Sequence, residues 1–139
     1  YYPYSGTESR LIMWRISVQQ LKETPFGLGT GNVDDALQHK MKENGLHEEF
    51  VIKNLNSHNQ YLQTGLEVGI FGIVILLLLI GLTTIKAIRE KNVLLLALVI
   101  SFTFNCLFES MLQRQSGVVF YVVLFCVLTS LTTNRTHES

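Results

Sequence analysis

The sequence predicts an all-α fold: a polytopic membrane protein fragment in which three transmembrane helices follow a largely helical extramembrane segment. Three observations predict it. The chain has 139 residues, zero formal net charge and 47% hydrophobic residues, but the charges crowd into residues 1–64 while Leu, Val, Ile and Phe dominate 66–131. The runs Gly69–Ile85, Val93–Phe108 and Gly117–Leu131 carry no charge. Neither Val93–Leu98 nor Val118–Val127 keeps a polar face, which the buried helices of a soluble protein usually show. A spanning helix needs about 20 mostly apolar residues, with a lower limit of about 17. The first run reaches that length by extending back to Leu66, and the other two draw on their flanks. The expected division is therefore an outer loop region over 1–64, a membrane region over 65–133 and a tail over 134–139.

Zero net charge gives no basis for a nucleic-acid partner. Cys106 and Cys126 both fall inside apolar runs, where they act as small hydrophobes. They match no disulfide or metal-ligand framework. The chain opens Tyr1-Tyr2-Pro3 without a signal peptide and is expected to be the C-terminal part of a longer multi-span protein.

Taken in order, residues 8–22 predict an amphipathic helix. Leu11, Trp14, Val18 and Leu21 share one face at about 100° per residue, with Arg10 on one edge of the stripe and Arg15 on the other. Ser5 or Thr7 is placed to cap it, and Pro25 and Gly27 stop it. Such a helix suits the outer leaflet, apolar side down and arginines at head-group level, or packing against other protein. Pro25-Phe26-Gly27-Leu28-Gly29-Thr30-Gly31 follows. Its alternating glycines allow a flexible turn or a phosphate nest, but no Gly-Lys-Ser/Thr follows as a nucleotide-phosphate loop requires. Residues 33–53 predict helix, with Asp34 and Asp35 at its start; His39 and His47 there read as surface histidines.

Ser57-His58-Asn59-Gln60 fits a capping box, with Ser57 as cap. The helix would begin at His58 and continue into the first span. The positive end of its dipole favours a neutral, proton-accepting imidazole, and its free amides suit an anion. Gly65, Gly69 and Gly72 leave one helix side without bulk, which permits close packing. The loop Lys86-Ala87-Ile88-Arg89-Glu90-Lys91 carries three basic residues and one acidic, and short basic loops stay cytoplasmic. Residues 1–64 and the connection Glu109–Ser116 then face outward. Arg114 outside and Arg135 inside cancel. Glu109, four residues after Asn105, is expected to pair with Arg114 or Arg10, or to contact substrate.

His58-Asn59 followed by Gly69-x-x-Gly72, with Ser9-Arg10-Leu11-Ile12-Met13-Trp14 and Pro25–Gly31 upstream, resembles the bacterial O-antigen ligase and polymerase family from about Thr7 to Gly72. The resemblance implies a multi-pass protein of the bacterial inner membrane with a periplasmic loop. Its activity would be metal-independent, inverting glycosyl transfer without a cofactor. The donor would be a glycan on undecaprenyl diphosphate. The acceptor would be a glycolipid, another lipid-linked glycan, or a protein hydroxyl in related oligosaccharyltransferases. Matched by motif, His58 is the essential histidine and Arg10 the loop arginine. Trp14, Arg15, Asn59, Glu109 and Arg114 are the expected substrate contacts. Where the ligase form has Arg-x-x-x-Leu, Trp14 fills the last position, so ligase and polymerase are not separated. Two other readings predict different features. A transporter or flippase segment predicts ionisable groups deep within spans, and none of the runs has one. A scaffold with an extracytoplasmic domain gives no reason for Arg10 and His58 to meet.

Overall fold

A computed structural model describes residues 6–53 and 56–137. Among them the fold is all-α. The helices are α1 (Gly6–Glu23), α2 (Val33–Glu43), α3 (Glu48–Lys53), α4 (Gln60–Val68), α5 (Ile70–Arg89), α6 (Val93–Phe108) and α7 (Gln115–His137), with a 3₁₀ turn at Met111–Gln113. Two layers follow from the sequence. Helices α1–α4 pack around Met13, Ile16, Val33, Leu37, Met41, Phe50, Val51 and Leu66. Helices α5 and α6 and the Gln115–Ser130 part of α7 are apolar and mostly uncovered.

The exposure of α5 fits a bilayer rather than a soluble core. Only 17% of its apolar window is buried, whereas the core helix of a soluble protein would be covered. Its 20 residues give about 30 Å at 1.5 Å per residue, the thickness of the hydrocarbon layer. Among the described residues α5 is the one helix long and apolar enough to cross. Val93–Phe108 and Gln115–Ser130 are shorter apolar helices. The predicted runs reappear closely, and α6 coincides with its run residue for residue. At 16 residues, about 24 Å, it falls short of a full span by itself. A turn of Glu90 and Lys91 follows α5, and Asn92 caps α6 by accepting the Leu95 N–H at 2.9 Å.

Helix α1 packs inside the fold by a face other than its apolar stripe. The helix forms over the predicted stretch, but its buried face is Ser9, Met13, Ile16, Ser17 and Gln20. Leu11 and Val18 are 57% and 39% exposed. The small Ser9 and Ser17 let α1 approach its neighbours, so the polar-looking side is the packed one. Trp14 and Leu21 of the predicted stripe turn to α6 and α4: the Trp14 ring lies 6.4 Å from that of Phe108, and Leu21 packs against Gly65. Of the two expected caps, Ser5 lies outside the described residues, and Thr7 lies within the helix.

The predicted continuous helix from His58 into the first span is corrected. Helix α4 ends at Val68, and Gly69 (φ 82°, ψ −168°) separates it from α5. The break therefore falls inside the expected membrane region, and Leu66 of α4 belongs to the extramembrane core. The turn at Pro25–Gly29 clamps this break. The Leu28 and Gly29 N–H groups donate to Leu66 O and Glu67 O at 2.8 and 3.0 Å, and the Ile70 N–H donates to Pro25 O at 2.9 Å. Carbonyls that a helix end leaves unpaired are thereby satisfied. Of the alternating glycines, Gly27 permits the close backbone contact, and the Leu28 and Gly29 amides are spent on α4. A Cβ on Gly69 would stand 2.4 Å from Phe26 C, and one on Gly27 2.6 Å from Gly69 N. Gly69→Ala combines that clash with a left-handed φ, so it should destabilise the chain by at least about 1–3 kcal/mol, read as a lowered thermal midpoint in detergent. An unchanged midpoint would show that the clamp contributes nothing.

Candidate functional site

The site lies where the loop before α4 meets the end of α6. Asn59, not Ser57, caps α4. Its Oδ1 accepts the Tyr61 and Leu62 N–H groups at 3.0 and 3.1 Å, and its Nδ2 donates to Leu107 O at 3.2 Å. Ser57 Oγ donates instead to Asn59 O at 3.0 Å. Gln60 does not reach back as a capping box requires. Its Oε1 accepts the Leu112 N–H at 2.7 Å, and its Nε2 donates to Thr64. Two of the helix amides expected to face an anion are therefore taken by Asn59.

Displaced from the helix, His58 adopts φ +49°. A non-glycine residue in the left-handed region is uncommon and persists only where its surroundings fix it. Asn56 does so. Its Oδ1 accepts the His58 N–H at 2.8 Å and the Ser110 hydroxyl at 2.7 Å, and its amide donates to Gln113. Gln113 and Gln63 in turn donate to Glu67 Oε1, at 2.8 and 2.9 Å. Tyr61 donates to Thr103 O at 3.2 Å; burial raises its phenol above the ordinary value and keeps it a donor.

This polar latch sets Glu109, the residue after α6, beside His58. Glu109 Oε2 lies 3.9 Å from His58 Nδ1, and Oε1 lies 3.4 Å from Arg10 Nη2. The first distance exceeds a hydrogen bond and is an ion pair only when the imidazole is protonated. The second joins groups 99 residues apart. Of the partners expected for Glu109, Arg10 is the one found. The three side chains are between a third and a half exposed, so they are open to a ligand.

The other expected contacts divide. Trp14 stands one turn beyond Arg10 and carries the same helix face to Phe108. Arg15 is exposed on a different face of α1, and Arg114 is exposed after the 3₁₀ turn. Asn59 is buried with both ends of its amide engaged. Asn56, Gln60, Gln63, Glu67, Ser110 and Gln113 were missed from the sequence. The available signal was Gln60, Gln63 and Glu67 at helical spacing just before an apolar run, where a polar face needs partners. Below the latch, α5, α6 and α7 enclose an apolar cleft of about 360 Å³, lined in part by Leu76, Val99, Phe102 and Tyr121 and reached by Leu112 of the 3₁₀ turn.

A family model described as O-Antigen ligase matches residues 3–77, more than half of the chain. Among curated proteins, an uncharacterized protein of Haemophilus influenzae is 27% identical across 81% of this chain. The chain spans 31% of that relative's length. No solved structure matches it.

Proposed function

The chain belongs to the O-antigen ligase family, and from that premise we propose that it carries the catalytic end of a membrane glycosyltransferase. The donor is a glycan on undecaprenyl diphosphate, and the acceptor is a hydroxyl of a glycolipid or of another lipid-linked glycan. The segment up to Gly69 faces the periplasm, helices α5–α7 form the inner-membrane region and 134–139 return to the cytoplasm. The observation that carries this reading is the shared carboxylate: Arg10 and His58 both reach Glu109 at the end of an apolar helix. A base and a cation at one such point are what displacement of a lipid diphosphate requires.

The acceptor hydroxyl attacks the anomeric carbon and gives its proton to His58. The glycosidic C–O bond forms as the bond from that carbon to the diphosphate oxygen breaks, and the electron pair leaves on the diphosphate. Attack opposite the leaving group inverts the configuration. Arg10 takes up the growing phosphate charge as a fork of N–H donors. Glu109 stands on the Nδ1 side and stabilises the imidazolium that forms as Nε2 takes the proton. Trp14 offers a ring face to a sugar beside Arg10, and the exposed Arg15 and Arg114 meet anionic groups of the glycolipid. Asn59 acts through the cap it makes. The cleft under Leu112 takes the first isoprene units of the carrier.

Deleting the gene in its host and separating surface glycans on a gel tests the reading. Loss of all long chains from lipid A identifies a ligase, and a single attached repeat identifies a polymerase. An unchanged ladder overturns both.

A further inference from the structure

We infer that the turn Pro25–Gly29 is a membrane anchor, with the Phe26 ring seated among lipid acyl chains beside the first turn of α5. Phe26 is 76% exposed although it sits between helices of the extramembrane layer. Its ring lies 6.2 Å from that of Phe71, with the planes 25° apart. Phe71 is the second residue of the membrane helix and is itself 61% exposed. Val68 and Ile70 beside it are exposed too, so Phe26 extends a continuous apolar surface that α5 presents to lipid. Isolated surface hydrophobes are ordinary, but a contiguous apolar patch marks an interaction face.

The ring cannot retreat. Its backbone is pinned on both sides, by the Ile70 N–H to Pro25 O bond and by the Leu28 and Gly29 amides on α4, and Phe26 C and O lie against Gly69. The occupant is lipid because the neighbouring surface is that of a helix with the length and bareness of a span. Phe, like Trp and Leu, is a side chain that interfacial elements bury at the head-group and acyl boundary. The consequence concerns the site. Helix α1 ends three residues before Phe26 and carries Arg10 at its other end, so the anchor sets the height of the Arg10–Glu109 pair above the bilayer.

Trp14 is the single tryptophan, so Trp14→Phe gives a dark background for a reporter. In that background, Phe26→Trp in phosphatidylethanolamine–phosphatidylglycerol vesicles should lose most of its fluorescence to lipid brominated near the head-group end of the acyl chain. Phe71→Trp in the same background should behave alike, and aqueous acrylamide should quench neither. Quenching of Phe26→Trp by acrylamide alone would overturn the inference. So would protection from both quenchers, because another helix or a second copy would then cover the ring. A nitroxide on Phe26→Cys, with Cys106 and Cys126 replaced by alanine, gives an independent readout. Greater collision with oxygen than with a water-soluble nickel chelate supports the anchor, and the reverse removes it. Neither readout involves glycan transfer, so this inference fails or stands apart from the proposed activity.

Discussion

Replacing His58 by alanine lowers glycan transfer by about 10²–10⁴-fold, the range a positioned general base contributes, while the chain still inserts. The second half of that expectation follows from the geometry. The His58 side chain is 36% exposed, and its contact with Glu109 is too long for a hydrogen bond, so removing the ring leaves no buried group unpaired. The fixed part is the backbone, held by Asn56. A surface-facing truncation of this kind usually changes stability by no more than about 0.5 kcal/mol. The measurement is transfer rate in membranes from the deletion strain, normalised to inserted protein. His58→Gln refines it, since glutamine keeps a polar side chain without a proton-accepting imidazole and should be as inactive as alanine. Normal transfer by either variant, at normal abundance, removes His58 from the base role.

Some of this arrangement was legible in the sequence and some was not, for identifiable reasons. The bounds of α6 were readable because Lys91 and Glu109 bracket a run without charge, and charges are expensive inside hydrocarbon. The packed face of α1 was not. Periodicity groups the apolar residues on one face but does not say whether lipid or protein covers it, and Leu11 and Val18 stay exposed. Serines at 9 and 17 then serve as points of close approach. The start of α4 was misread because Ser57 and Asn59 are both good caps. Which one is used depends on Leu107 O, contributed by α6. The glycines of 25–31 left a turn and an anion loop both open, because sequence cannot reveal that the Leu28 and Gly29 amides face the carbonyls of α4. The chemistry-bearing types at Arg10, His58 and Glu109 were recognisable one by one. Their meeting was not, since it depends on how α1, α4 and α6 pack.

Arg10→Lys should cost about 10²-fold or more in transfer, as removing one preorganised donor to a developing oxyanion does elsewhere. Two roles for Arg10 make opposite forecasts. If it serves only to hold Glu109, lysine restores an ion pair and activity survives. If it meets the diphosphate, a point charge replaces a planar fork that can bind two oxygens at once, and activity falls. Stability does not confuse the result, because the Arg10 and Glu109 side chains are 42% and 41% exposed. A pair this open contributes at most about 1 kcal/mol. Glu109→Gln completes the experiment. It leaves the Arg10 fork free but removes the carboxylate beside the imidazolium that forms during transfer, so it should lose less than Arg10→Lys. Near-normal transfer by Arg10→Lys together with strong loss in Glu109→Gln would reverse the assignment, leaving Glu109 as the essential group and Arg10 as its support.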